Sequence, residues 1–513
     1  QVKAALYDPT VTKTAFNANF EITCLKKYFP DLPDEQWECD SVLALYNSYP
    51  PSLAVVAKAL RLADDKQKDT RGKALIQYFC IPCKPTTTNG GRTRNLPCHA
   101  PEKWEIFKEY NRQDVEAERA IRKALIHNKP NAEEHRLWLL DRKINAHGIA
   151  VDRTLVQNAI AINAEETESL RQEAQEITHL ENPNSVLQLK NWLERKLGTL
   201  PPSLDKDAVT ALLAKDIHTD VRRLLLIRRE LGKTSVKKYK AMENSVCSDG
   251  RIHDIFQFYG ASRTGRWAGR NVQLHNLRRN NMADLDAARQ LVLTGDRETL
   301  SMLYGVSDTL SQLVRTALIA PKGCRFIVAD FSAIEARVLA WLAKEKWRLD
   351  VFKKGGDIYC ASASAMFGVP VEKHGVNGHL RQKGKQAELA CGYSGSVGAL
   401  KAMGADKMGL SELELKDIVQ KWRRANPNIV NFWYRLEELA MCCILGKEPS
   451  TAASRCPVKF LMDGPDMRVK LPGGRLLTYL RPRIGTNRFG GDSIEHEGLE
   501  QSSNRWGWLE TYG

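Results

Sequence analysis

The chain has 513 residues, too long for one ordinary hydrophobic core, so two to four domains are expected. Its 43% hydrophobic and 27% charged residues suit a folded, water-soluble protein, and no stretch approaches the roughly eighteen consecutive apolar residues that a membrane span requires. A formal net charge of +15 favours a polyanionic partner, because Lys and Arg that neutralise phosphates release condensed counterions.

The opening Gln1–Tyr7 has no initiator Met and no charged region followed by an apolar run. The expectation is a cytoplasmic protein, of a bacterial or phage-infected cell, whose N-terminus is cut. The 12 scattered cysteines read as reduced thiols. Residues 1–128 alternate short apolar runs with helical patterns and read as α/β. Within them, Cys80, Cys83, Cys98 and His99 have the types of zinc ligands. Adjacent Cys98 and His99 rarely converge on one ion, so a basic loop with incidental thiols is the stronger reading, and metal binding there stays open. The pattern breaks at Asn128–Asn131, a domain boundary.

From Leu137 the chain turns helical. Pro201-Pro202-Ser203-Leu204-Asp205 punctuates it and offers Asp205 as a cap for the next helix. Residues 215–280 carry fifteen Lys and Arg against six Asp and Glu. Arginines around Val221–Arg229, followed by Lys233, Lys237, Lys238 and Lys240, read as a phosphate-tracking surface rather than an ordinary solvated face. Gly323–Asp330 is a short apolar run ending in an acid, which predicts a strand whose tip presents Asp330. Ile334–Leu342 and residues 345–445 read as helical. Val469–Tyr479 predicts a hairpin turning at Gly473-Gly474.

Asp330 can do one of two things. A carboxylate at a strand tip can hold Mg²⁺, which takes one or two carboxylates plus substrate phosphates; it can equally cap a helix. About fifty residues on, Arg381, Lys385, Leu389 and Tyr393 recur every fourth position. On a helix they share one face. Two cations one turn apart repel unless a polyphosphate lies across them, with Arg as a fork and Lys as a point charge. Tyr393 adds a flat ring for a base.

These two segments carry a resemblance. Asp330-Phe331-Ser332-Ala333-Ile334-Glu335-Ala336-Arg337 resembles motif A of the family A DNA polymerases, the bacterial DNA polymerase I family. Arg381-x-x-x-Lys385-x-x-x-Leu389-x-x-x-Tyr393 resembles its motif B. Ser262–Trp267 followed by Val272–Leu277 resembles the family's Thr-Gly-Arg segment and its sequel. Order and spacing match along essentially the whole chain, and the style is closest to phage or prophage members.

The resemblance implies a template-directed DNA polymerase using two Mg²⁺ ions. It implies metal ligation by Asp330 and the Phe331 carbonyl, and a steric gate against ribose at Glu335. Arg381 and Lys385 would hold the incoming triphosphate, Lys385 also donating a proton to pyrophosphate. Leu389, where the family usually has an aromatic, and Tyr393 would line the nucleotide site. Arg266 would check the primer-terminal minor groove, with Thr264, Gln273, Asn276, Lys237 and Lys238 also on DNA.

Upstream, Ala15–Glu21 and Tyr110-Asn111-Arg112-Gln113-Asp114 resemble the second and third motifs of DEDD-type 3′–5′ proofreading exonucleases. They imply divalent-metal ligation by Glu21 and Asp114 and water orientation by Tyr110. The expected fold is α+β and α/β, multidomain. An RNase H-like exonuclease domain (1–130) precedes a right-hand polymerase, with linker and thumb at 131–250, palm at 251–345, fingers at 346–450 and returning palm at 451–513.

The family's first exonuclease motif and its His-Asp-Glu motif C do not occur in the sequence. Arg505–Gly513 looks like the lead-in to the long helix before motif C, so the expectation is a chain incomplete at both ends. Partners would be primer-template DNA and dNTPs, with no membrane, and in a split enzyme a second polypeptide carrying motif C. Two rivals stand: a fragment that binds primer-template without turnover, and a single-subunit RNA polymerase, against which Glu335 argues.

Overall fold

In a computed structural model, placement is described for all residues except 64–71, 234–235, 262, 406–409, 448–457, 488–489, 501–502, 504 and 512–513. Two compact units emerge. One comprises residues 1–133 and 328–513, the other residues 134–327. Among the described residues no helix is long and apolar enough to cross a membrane.

The first unit begins with two parallel strands, β1 (Lys13–Ala15) and β2 (Trp37–Cys39), joined through the helix Ala18–Lys26. Parallel neighbours need such a crossover, so the α/β reading of this region holds locally. The helix Pro101–Leu125 packs Ala117, Ile121 and Leu125 against Leu43, Tyr49, Leu53 and Val56.

The second unit holds a three-stranded antiparallel sheet in which β3 (Ile149–Val151) lies between β4 (Arg251–Ile252) and β7 (Leu318–Ile319). A separate hairpin pairs β5 (Phe256–Ala261) with β6 (Arg266–Gly269). The long helix Arg153–Thr178 starts at Asp152, whose side chain accepts the Leu155 N–H at 3.0 Å. Its first half packs Leu155, Val156, Ala159 and Ile162 with Tyr239, Met242 and Leu310. Its second half joins Leu170 and Ala174 to Leu189, Leu193, Val221 and Leu225. Asp205 caps the helix Lys206–Leu213 as expected, accepting from Asp207 and Ala208.

Residues 328–513 complete the first unit. The helix Ile334–Ala343 and the helices through Ile444 follow the predicted periodicity. An antiparallel sheet then runs β12-β11-β10-β9-β8, from β8 (Lys459–Asp463), β9 (Asp466–Lys470), β10 (Leu476–Thr486), β11 (Asp492–Leu499) and β12 (Trp506–Glu510). The β9–β10 hairpin turns at Gly473-Gly474 as predicted; Gly474 has φ +88°, which its missing Cβ permits.

One expectation fails locally. Gly323–Asp330 does not form a strand: no ladder pairs its backbone, and Ile327 and Val328 are 87% and 91% exposed. A strand is stable only beside a ladder partner, and among the described residues none flanks this run. Trp506–Glu510 is an edge strand held by β11, where Leu499 pairs Trp506 and Glu497 pairs Trp508. Its alternation of Trp and Leu suits a pleated, half-buried surface.

Candidate active site

The described site residues fall into three groups. The first lies on two helices of unit one. The helix Leu380–Cys391 turns Gly384, Ala387, Glu388, Ala390 and Cys391 inward. Arg381 and Lys385 lie half-buried on its other side, and Leu389 and, just past the helix end, Tyr393 are exposed. The four-residue spacing therefore does place the stripe on the outward face. On the inward face, burial pushes the Cys391 thiol up to about 12.

That helix is anchored twice. Gly384 abuts the neighbouring helix Ile358–Phe367 so closely that a Cβ there would lie 2.3 Å from the Tyr359 carbonyl oxygen. Glu388 meets the fully buried Arg348, whose Nη1 donates to Oε1 at 2.8 Å. The Ser362 hydroxyl at 2.6 Å and the Trp422 indole at 2.8 Å donate to the same oxygen. A buried carboxylate needs this many donors to offset its lost hydration.

Arg381 is already engaged. Its Nε donates to Asp357 Oδ2 at 2.8 Å, and its guanidinium lies 5.3 Å from the Tyr359 ring centre. Burial works to raise the Asp357 carboxyl, but Arg381 and the Tyr359 and Cys360 N–H groups outweigh it and hold it below its ordinary value. Asp357, Tyr359, Gly384, Glu388 and Arg348 were not singled out from sequence. The one local signal was an Asp directly before an apolar helical run, the pattern of an N-cap.

The helix Ile334–Ala343 sends Leu339 and Ala343 into the same apolar cluster as Ala387, Ala390 and Cys391. Glu335 stands in its first turn, exposed, where the helix dipole favours a carboxylate. Arg337 ties the preceding turn down by donating to the Ser332 carbonyl at 2.8 Å. Asp330 and Phe331 precede that turn and are exposed. So the two motif helices share one core, and Glu335 and Tyr393 belong to segments that meet through Leu339 and Gly392.

The second group is in the N-terminal region. Tyr110, Asp114, Glu118 and Arg122 follow one another every fourth residue on the helix Pro101–Leu125. Tyr110 is buried against Phe107, Phe79 and Leu75. Arg122 binds Asp40 at 2.7 Å and also Glu38. Glu118 is raised to about 7, first by burial and then by the charge of Asp40. Burial likewise raises Glu21, on the helix Ala18–Lys26. Asp40 and Glu118 were not foreseen. Among the described residues no three His, Cys, Asp or Glu side chains converge to hold a metal, those of the cysteine cluster included. In that cluster Cys83 Sγ contacts the Arg92 carbonyl at 3.4 Å, and His99 Nδ1 accepts the Leu96 N–H at 2.8 Å.

The third group belongs to unit two. Thr264 and Arg266 are exposed on the β5–β6 hairpin, and Gln273 and Asn276 are exposed just after it; Ser262 lies outside the described residues. Lys237 is exposed, but Lys238 Nζ donates to the Val272 carbonyl at 2.9 Å. In the basic helix, Arg223 pairs with Glu173 at 2.5 Å, and Arg222 caps the Leu213 and Lys215 carbonyls. These arginines hold the fold as well as charging its surface.

Residues 153–442 match the model of DNA polymerase family A. A DNA polymerase of Bacillus phage SP02 is 50% identical over 516 residues, covering 100% of this chain and 79% of that protein. The DNA polymerase I of Pseudomonas aeruginosa is 25% identical over 57% of this chain, and the thermostable DNA polymerase I of Thermus thermophilus 28% identical over 58%. The chain spans only 29% and 34% of those two bacterial proteins. In fold, the chain is similar to the POL domain of Pol1 from M. smegmatis, solved in complex with DNA primer-template and dNTP. The TM-score is 0.53 at 19% identity, over 86% of this chain and 67% of that one.

Proposed function

The chain belongs to DNA polymerase family A, and on that premise we propose that it extends a primer 3′-hydroxyl with dNTPs chosen by a template strand. The observation that carries this reading is the outward stripe of Arg381, Lys385, Leu389 and Tyr393, fixed on a buried-pair anchor beside the helix of Glu335. Two cations one turn apart fit a polyphosphate. In this reading Arg381 grips phosphate oxygens, and Lys385 holds the triphosphate and passes a proton to the departing pyrophosphate. Tyr393 stacks at the nascent pair. Glu335 crowds the sugar so that a 2′-hydroxyl is rejected.

Asp330 and the Phe331 carbonyl would hold Mg²⁺. Both are hard oxygen donors, and their exposure leaves room for the water and phosphate oxygens with which Mg²⁺ completes its shell. When bound, the metal would acidify the 3′-hydroxyl and neutralise developing charge on the phosphates. Arg266, Thr264, Gln273, Asn276 and Lys237 are read as the primer-template contacts of unit two. The layout of exonuclease domain (1–130), thumb, palm and fingers is part of the same proposal, with Glu21, Asp114 and Tyr110 as the proofreading residues.

Primer extension tests it. Asp330→Ala should abolish extension and leave duplex affinity near normal; retained extension would refute the metal role. Glu335→Ala should admit ribonucleotides, and unchanged rejection would remove the gate.

A further inference from the structure

We propose that Asp141 is a positioning residue for DNA binding: from the helix Ala132–His147 it fixes the indole of Trp267, and through it the direction of the adjacent Arg266. The inference rests on the reading above that Arg266 contacts the primer terminus.

Three polar side chains of this helix, Glu134, Asp141 and Asn145, reach the β5–β6 hairpin. Their steps of seven and four residues put them on one helix face. Asn145 Oδ1 accepts the Phe256 N–H at 2.9 Å while its Nδ2 donates to the Phe256 carbonyl at 3.0 Å, so its amide sits on β5 as a neighbouring strand would. The same Nδ2 donates to Asp141 Oδ2 at 3.1 Å. Asp141 Oδ1 accepts the Trp267 indole N–H at 2.6 Å. Tyr259, held at φ +53° within the irregular stretch of β5, gives its hydroxyl hydrogen to Glu134. Both Asp141 oxygens therefore serve the hairpin, one directly and one through Asn145.

Trp267 is a surface indole, 38% exposed, yet it is fixed at two points: the Asp141 bond and an edge-to-face contact with Phe258 at 5.2 Å. Successive strand residues point to opposite faces. Locking Trp267 on one face sets the twist of β6, and with it the angle at which Arg266 leaves the other.

A carboxylate is a costly clamp here. Burial pushes Asp141 up to about 6, against the pull of Trp267, Asn145 and Arg142, and Asp254 adds to the rise. An apolar pair would pack at lower cost. What a carboxylate adds is direction: a charge-assisted bond is short and oriented.

The test is binding of labelled primer-template at fixed salt. Trp267→Phe keeps the ring on Phe258 and removes the donor; about tenfold weaker binding is expected, the size of one lost bond to a charged group. Asp141→Asn, which keeps the shape, should weaken binding by about threefold. Trp267→Phe should add nothing in an Arg266→Ala background. Wild-type affinity in both single variants, or full additivity with Arg266→Ala, overturns the proposal. Should Arg266→Ala itself bind normally, the reading of Arg266 fails, and with it the route to DNA. The clamp is then judged alone from the ¹⁵N indole resonance of Trp267. That resonance should titrate with a midpoint of about 6 and lose the titration in Asp141→Asn; a resonance flat with pH overturns the clamp.

Discussion

Arg381 gives its Nε hydrogen to Asp357 over 2.8 Å, while the other Asp357 oxygen accepts the Tyr359 and Cys360 N–H groups at the start of the next helix. One carboxylate thus caps a helix and aims a guanidinium. The bond occupies Nε, and the terminal nitrogens carry four further donors. Asp357→Asn should keep the cap, since Asn caps as well as Asp, and lose the charge assistance. The expected result is a KM for dNTP raised about three- to tenfold with kcat little changed, the loss of one charge-assisted bond. A KM that is unchanged or lower would show that Asp357 competes with the nucleotide instead.

Gly384 stands between Arg381 and Lys385 where two helices nearly touch. A methyl group at 384 would meet the Tyr359 carbonyl at 2.3 Å and the Ala363 Cβ at 3.0 Å. Both neighbours belong to the helix Ile358–Phe367, which would have to shift as a body. Gly384→Ala gains helix propensity but must push the helices apart, at a net cost of about 1–3 kcal/mol. A lowered melting temperature together with weaker dNTP binding is expected; an unchanged melt would mean the gap closes without strain.

Arg348 and Glu388 form an ion pair that is almost wholly withdrawn from water, with side-chain exposures of 0% and 3%. Removing one partner strands the other. Glu388→Leu leaves the Arg348 charge, the Trp422 indole and the Ser362 hydroxyl without their acceptor, and should cost about 3–5 kcal/mol. Arg348→Met combined with Glu388→Leu should recover the part of that loss owed to the stranded charge, while the Trp422 and Ser362 donors stay unpaired. Urea midpoints of the two single variants and the double variant measure this. A double variant as unstable as the sum of the singles would sink the argument.

What the sequence disclosed follows the range of the interactions. Asp205 as a cap, the Gly473-Gly474 turn and the stripe from Arg381 to Tyr393 depend on neighbours within a few residues, and all three were readable. Gly323–Asp330 reads as a strand on its own residues, but pairing is decided by a partner elsewhere, so the apolar run alone misled. Leu480 and Trp506 of the sheet from β8 to β12 pack with Leu43, Ile121 and Leu125, and Thr478 donates to the Asn47 carbonyl at 2.7 Å. Nothing in the pattern of 459–510 names those partners. The same holds for Asp141 and Trp267, which lie 126 positions apart. Neither residue is unusual until the fold brings them together.

Asp141 also makes a stability prediction whose sign is opposite to that of most carboxylates. Its folded-state value is raised to about 6 from an ordinary 3.8, so the native state favours the protonated form. Stability from this group is full below the unfolded value and is lost as pH rises through about 6. Asp141→Asn cannot ionise and escapes that loss. The variant should melt close to wild type at pH 4 and above it at pH 8, even where it binds DNA less well. A residue that served only to hold the hairpin together would behave otherwise: its loss would lower the melt at pH 8 along with the affinity. Thermal melts of both proteins across that pH range decide between the two, and a lower melting temperature for Asp141→Asn at pH 8 would count against the raised carboxyl.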